Sequence, residues 1–162
     1  FLPLLGLSTA TVSIVGQNFG AKKFTRVLET YKKAIGVAVT ILSILGIIIF
    51  ITSEIAMSLF TENKEVIKFG SNYLKISALM FPAFPFFFIG NATFQGLKKA
   101  IIVMYMAIMR FVLIPLVMIS IIFYQFGESY TLMFYSIAFM HWSIGLSYFY
   151  FCNKKYRSIL NL

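Results

Sequence analysis

Long uncharged apolar stretches separated by short charged connections form the dominant pattern of this chain. Residues 34–53 make the clearest stretch, and 2–19, 76–94, 101–126 and 131–151 make four more. A helix rises about 1.5 Å per residue, so about 20 residues cross a hydrocarbon core of about 30 Å, and each stretch suffices for one crossing. The stretches lack the strict alternation of a half-buried strand, and in lipid a segment satisfies its own N–H and C=O groups by forming a helix. The pattern predicts an all-α fold, a polytopic transmembrane helix bundle of about five spans.

The connections alternate in charge. Lys22, Lys23, Arg26, Lys32 and Lys33 face only Glu29 in the first, Lys98 and Lys99 separate the third and fourth spans, and Lys154, Lys155 and Arg157 follow the fifth. Between them, Glu54 to Lys75 balances its charges and Gln125 to Tyr130 carries Glu128 alone. Positive residues retained on the inner side predict a first span entering from outside and a cytoplasmic C-terminus, in a multi-pass membrane protein. Within 21–33, Phe24, Val27, Leu28 and Tyr31 recur at helical spacing with lysines opposite, which predicts a short helix lying in the inner headgroup layer. Asn63 is placed to cap a helix with Glu65 in its first turn, running on into the third span.

Composition strengthens the membrane reading. Of 162 residues, 60% are hydrophobic and 12% charged, against about 45–50% and 25% for soluble domains. The net charge of +9 raises a nucleic-acid partner, but the basic residues lie between apolar blocks without forming a continuous patch, so none is expected. Cys152 is the single cysteine, which excludes an intrachain disulfide and a thiolate cluster. The chain has no HExxH, Walker or GxSxG motif and no intramembrane carboxylate pair, so neither an enzyme nor a bound metal or cofactor is expected. Phe1-Leu2-Pro3 lacks the basic start of a signal peptide and reads as part of an internal span.

Three motifs fall in a recognisable order: Gly16-Gln17-Asn18-Phe19-Gly20-Ala21-Lys22, then Leu59-Phe60-Thr61-Glu62-Asn63-Lys64-Glu65-Val66, then Phe94-Gln95-Gly96. Together they resemble the multidrug and toxic compound extrusion (MATE) transporters. Arg110 and Pro115 match the basic residue and proline that the family places in the helix after F-Q-G. The resemblance implies part of a twelve-helix, two-lobe transporter, with residues 1–162 as a partial C-terminal lobe lacking its first helix. The end of the first lobe is the other placement, against which the basic tail stands. Asn63 replaces the frequent Asp and Lys64 the frequent Pro of the outer turn, which keeps a cap and loses a rigid helix start. The cation-binding carboxylate of some members is missing from Phe81 to Phe88, and the chain has no Asp, so a coupling site for Na⁺ or H⁺ is expected outside it.

The candidate cavity or hinge residues are Pro82, Pro85, Asn91, Gln95, Pro115 and His141. Pro82 and Pro85 free backbone carbonyls mid-span, which makes either a packed kink or a hinge beside substrate. Asn91 and Gln95 share a face and turn inward to bond a neighbouring helix or a solute. Gly16 and Gly20 allow close helix approach. Arg110 lies about ten residues into its span and can snorkel to the inner boundary. His141, the one histidine, is either a satisfied buried ring or a proton carrier. The 19 Phe and 9 Tyr suit lipid contact and interfacial belts, and could also hold lipophilic cations.

By resemblance, the expected activity is ion-coupled antiport, driven by Na⁺ or H⁺, that exports amphipathic, often cationic, drugs and toxic compounds. The expected partners are the lipid bilayer, the complementary N-terminal lobe and small organic cations. A lipid-linked saccharide flippase of the same superfamily is one alternative, and a non-transporting scaffold or transferase subunit another.

Overall fold

The computed structural model describes residues 1–113, 115, 116, 120 and 130–160. The described elements are helical: α1 Leu2–Gly20, α2 Phe24–Ser58, α3 Lys64–Met80, α4 Phe84–Gly96, α5 Ala100–Ile108 and α6 Tyr130–Leu160. A 3₁₀ turn at Phe81–Ala83 joins α3 to α4, and a π-helical segment at Met109–Leu113 continues α5. The far part of the fourth span and the connection carrying Glu128 lie outside the described residues.

Side-chain contacts fix the helix directions. Phe1 packs on Phe84 while a Cβ on Gly96 would touch Val15, so α1 and α4 run parallel. Phe84 meets His141 and Phe94 meets Tyr156, so α6 runs parallel to α4. Pro3 and Leu4 share a small cavity with Ala38 and Leu42, so α2 returns antiparallel to α1. The bundle therefore gathers Lys22, Lys23, Lys98, Lys99, Lys154 and Lys155 at one end and Glu54, Glu62 and Glu65 at the other.

The segment 21–33 is organised differently from its expectation. Only Ala21 to Lys23 forms a turn, and from Phe24 the chain runs unbroken to Ser58. The separate interfacial helix expected over 21–33 is thus the first turns of α2. Its apolar stripe faces protein: Val27 and Tyr31 are fully buried, and Phe24 and Leu28 pack against the core. Further along α2 the pattern inverts. Ala34, Ala38, Leu42 and Gly46 face inward, while Ile47 and Ile51 are 60% and 72% exposed. Large apolar residues outside, and Ala34, Ala38 and Gly46 among those inside, suit a helix whose solvent is lipid and whose neighbours approach closely.

Among the described residues, Phe24–Ser58 and Lys64–Gly96 are long and apolar enough to cross a membrane. Helices α1 and α6 carry more polar side chains, many of them bonded to their own helix. Thr11 donates to the Leu7 carbonyl at 2.7 Å, Ser143 to that of Phe139 at 2.9 Å and Ser147 to that of Ser143 at 2.8 Å. Such back-bonding lets hydroxyls sit in an apolar helix without losing a partner.

Helices α1 and α4 end alike. Lys23 N–H donates to the Asn18 carbonyl and Lys22 N–H to that of Phe19; Lys99 and Lys98 repeat this with Phe94 and Gln95. Lys22 and Lys98 both take φ of 58°, the left-handed position of a Schellman cap. Each cap leaves two lysines at the negative end of a helix dipole. At the opposite end, the Asn63 side chain accepts from Glu65 N–H at 2.9 Å, capping α3.

Candidate functional site

A cavity of 420 Å³ lies between α4, α5 with its π segment, and α6. Phe87 and Asn91 come from α4, Met106, Arg110 and Phe111 from the α5 segment, and Ser143, Ile144, Ser147, Tyr148 and Phe151 from α6. The α6 residues fall at i, i+1, i+4, i+5 and i+8, one face of a helix. Pro115 accounts for the widened turn at Arg110: it has no N–H to give the Phe111 carbonyl and its ring crowds that oxygen.

Arg110 turns toward α4. Its guanidinium lies 3.6 Å from the centre of the Phe87 ring, 5.1 Å from that of Phe111 and 5.9 Å from that of Phe84. The charge thus rests on aromatic faces beside the cavity, where the sequence alone suggested an extended side chain reaching a boundary. The Tyr148 ring stacks on that of Phe87 at 5.5 Å, and its hydroxyl donates to Asn91 Oδ1. Asn91 therefore bonds across to α6 and also faces the cavity.

Below the cavity, the core closes with aromatic groups. Tyr156 donates to the Gly90 carbonyl at 2.7 Å and meets the Tyr31 ring edge-on at 4.8 Å. Phe94 is fully buried against Tyr156, 4.6 Å between ring centres, and Cys152 is buried beside them.

The helix break is pinned rather than open. The 3₁₀ turn shifts the hydrogen-bond register at Pro82, and Trp142 Nε1–H donates to the Leu79 carbonyl at 2.9 Å. Pro82, Leu79 and Trp142 line a second, larger and more apolar cavity of 790 Å³ between α2, α3 and α6. Pro85 is buried in the first turn of α4.

The remaining candidates are scattered. Gln95 is exposed, one turn beyond Asn91 and away from the cavity lining. His141 is half-buried, with Nδ1 3.3 Å from the Ile137 carbonyl and its ring edge-on to Phe84 at 5.4 Å. Pro115 is half-buried and contributes through the π segment. Gly16 and Gly96 meet where α1 crosses α4: a Cβ on Gly16 would lie 3.7 Å from the Gly96 carbonyl. Gln17, Gly20 and Ala21 belong to the capped end of α1. Tyr148, Met106, Phe151 and Trp142 were not singled out from the sequence. The helical spacing of Ser143, Ser147 and Phe151 was the available signal, hidden because tyrosine and phenylalanine are so frequent in this chain.

The first and third motifs meet where α1 crosses α4, the second joins α2 to α3, and the family profile described as MatE matches residues 1–121. The chain belongs to the MATE family of membrane transporters. It is an integral membrane protein with an all-α helix bundle as its fold. The MATE fold is also seen directly: the chain is similar to a solved inward-facing structure of a multidrug resistance MATE family transporter of the MOP superfamily. The TM-score is 0.88 at 18% identity, and the match covers 98% of this chain. The chain spans 37% of the length of that structure. No curated protein sequence matches it.

Proposed function

We propose that the chain forms part of an ion-coupled antiporter that exports amphipathic organic compounds, drugs and toxic molecules among them, with a Na⁺ or H⁺ gradient driving its return. The basic end of the bundle, with the C-terminus, faces the cytoplasm of a bacterial inner membrane. The observation that carries this reading is the 420 Å³ cavity, apolar with a few convergent polar groups, in a bundle of the transporter family's fold. The break between α3 and α4 supports it, since transporters place discontinuous helices beside their cavities.

Among the described residues, no carboxylate lines either cavity. The carboxylates for ion coupling and for cationic cargo are therefore assigned to a complementary lobe. The test is dye accumulation in cells making the complete two-lobe transporter. Accumulation of a lipophilic fluorescent dye should fall, and should recover when both the Na⁺ and H⁺ gradients are collapsed. Cells making these 162 residues alone should show no efflux. Efflux indifferent to both gradients, or efflux by the 162-residue chain alone, would refute the reading.

A further inference from the structure

We propose that the cavity beside Arg110 binds the anionic head of a small amphipathic molecule, a carboxylate, sulfonate or phosphate carried on an apolar body. For its physiological use the proposal rests on the transport reading above; the binding itself does not.

The first ground is charge balance. Arg110 lies ten residues along from Ala100, about 15 Å into a hydrocarbon core of about 30 Å. A cation at that depth is costly unless it is matched. The ion pairs among the described residues are Glu29 with Lys33 and Glu54 with Lys75, both far from Arg110. Among the described residues, the cavity lining contributes no acid either. The guanidinium carbon lies 3.6 Å from the Phe87 ring centre, close enough for the two planes to stack. Its N–H donors lie in the guanidinium plane, so a ring on its face leaves the edge free to fork onto an oxyanion.

The second ground is the chemistry around that edge. Asn91 accepts the Tyr148 hydroxyl with its carbonyl oxygen, so what it has left to offer the cavity is its amide N–H donors. Guanidinium and amide together make a donor pair. Met106, Ile144 and Phe151 supply the apolar wall for the ligand's body. An organic cation fits poorly here, because the Arg110 charge that lines the cavity repels it. The cavity therefore selects against the cargo charge that the family resemblance suggests.

The test uses the 162-residue chain in phosphatidylcholine nanodiscs and equilibrium dialysis of two probes of equal size, 2-naphthalenesulfonate and 2-naphthyltrimethylammonium. The sulfonate should be retained about tenfold over the ammonium, the scale of one charge-assisted hydrogen bond. Arg110→Gln should erase the preference. Ala107→Phe, which keeps the charge and fills the cavity, should lower sulfonate binding to the ammonium level, and it serves if Arg110→Gln fails to fold. Equal retention of both probes by the native chain, or a preference that survives both variants, overturns the proposal. Adding phosphatidic acid to the nanodisc identifies the source of the anion: displacement of the sulfonate assigns the site to a lipid phosphate, and its persistence to a soluble solute. Both results require Arg110. Gradient-driven efflux without sulfonate preference would sink this site and leave the transport reading standing, while sulfonate preference without efflux would do the reverse.

Discussion

Helix α4 presents one glycine to each of two neighbours, and the two contacts differ in kind. At Gly96 an added Cβ would meet Val15 Cγ1 at 2.7 Å, Val15 Cβ at 2.8 Å and the Val12 carbonyl at 2.9 Å. At Gly90 it would meet the edge of the Tyr148 ring at 2.8 Å and Cys152 Sγ at 3.1 Å. The first contact is with backbone and a branched stem, which cannot yield without moving α1. The second is with outer parts of side chains, which can. On its Gly96 side α4 is locked to α1; on its Gly90 side it leans on rings that also frame the cavity. The first kind of contact keeps helices together as a body, and the second lets a lining rearrange.

The sharpest way to break this contrast is Gly96→Ala. Overpacking a tight site costs about 1–3 kcal/mol, and here the full range is open because backbone must move. The thermal midpoint in detergent should fall by several degrees. Gly36→Ala is the control, since nothing lies within 4 Å of a Cβ there, and it should hold or slightly raise the midpoint through better helix propensity. Equal midpoints for the two variants would show that the α1–α4 lock is not rigid.

Gly90→Ala should cost less stability, about 1 kcal/mol, and act on the cavity instead. The new methyl pushes the Tyr148 ring and Cys152 Sγ outward, straining the bond from Tyr148 to Asn91. Cys152 is the chain's single cysteine and is fully buried, so a membrane-permeant maleimide reads the change directly. Labelling should be slow in the native chain and clearly faster in Gly90→Ala. Unchanged labelling, with a midpoint as low as that of Gly96→Ala, would make the two faces equivalent.

How much of this was legible beforehand follows from which interactions leave a local trace. The helices were visible because hydropathy is a local property, and among the described residues Phe24–Ser58 and Lys64–Gly96 are long and apolar enough to cross a membrane. The grouping of Lys22, Lys98 and Lys154 at one end was visible because charge alternates along the chain. The meeting of Gly16 with Gly96 was legible only as two motifs, since pairing between α1 and α4 leaves no mark within either. The stripe of Phe24, Val27, Leu28 and Tyr31 misled for a definite reason: helical periodicity reports that one face is apolar, not whether lipid or protein covers it. Tyr31 packs on Tyr156, 125 positions away. Arg110 was readable as a charge at depth, but its direction depends on Phe87, which lies on another helix, and on a π turn that Pro115 imposes locally.

A polar bridge at the far end of the bundle sets the lower bound of the comparison. Lys75 Nζ donates to Glu54 Oε1 at 2.8 Å, joining α3 to α2, with 68% of the Glu54 side chain exposed. The hydrogen bond from Lys75, and then its charge, hold the Glu54 carboxyl below its usual range. A carboxyl depressed in the fold contributes stability above its unfolded value, about 4.3, and loses that contribution as pH falls through the folded value. The midpoint difference between the native chain and Glu54→Gln should therefore be steady from about pH 7 to pH 5 and vanish in stronger acid. In molar salt it should shrink at every pH, because exposed pairs are screened. A difference larger than that of Gly90→Ala, or one that grows on acidification, would mean that this tether holds α2 to α3 more firmly than the buried aromatic contacts hold α4 to α6.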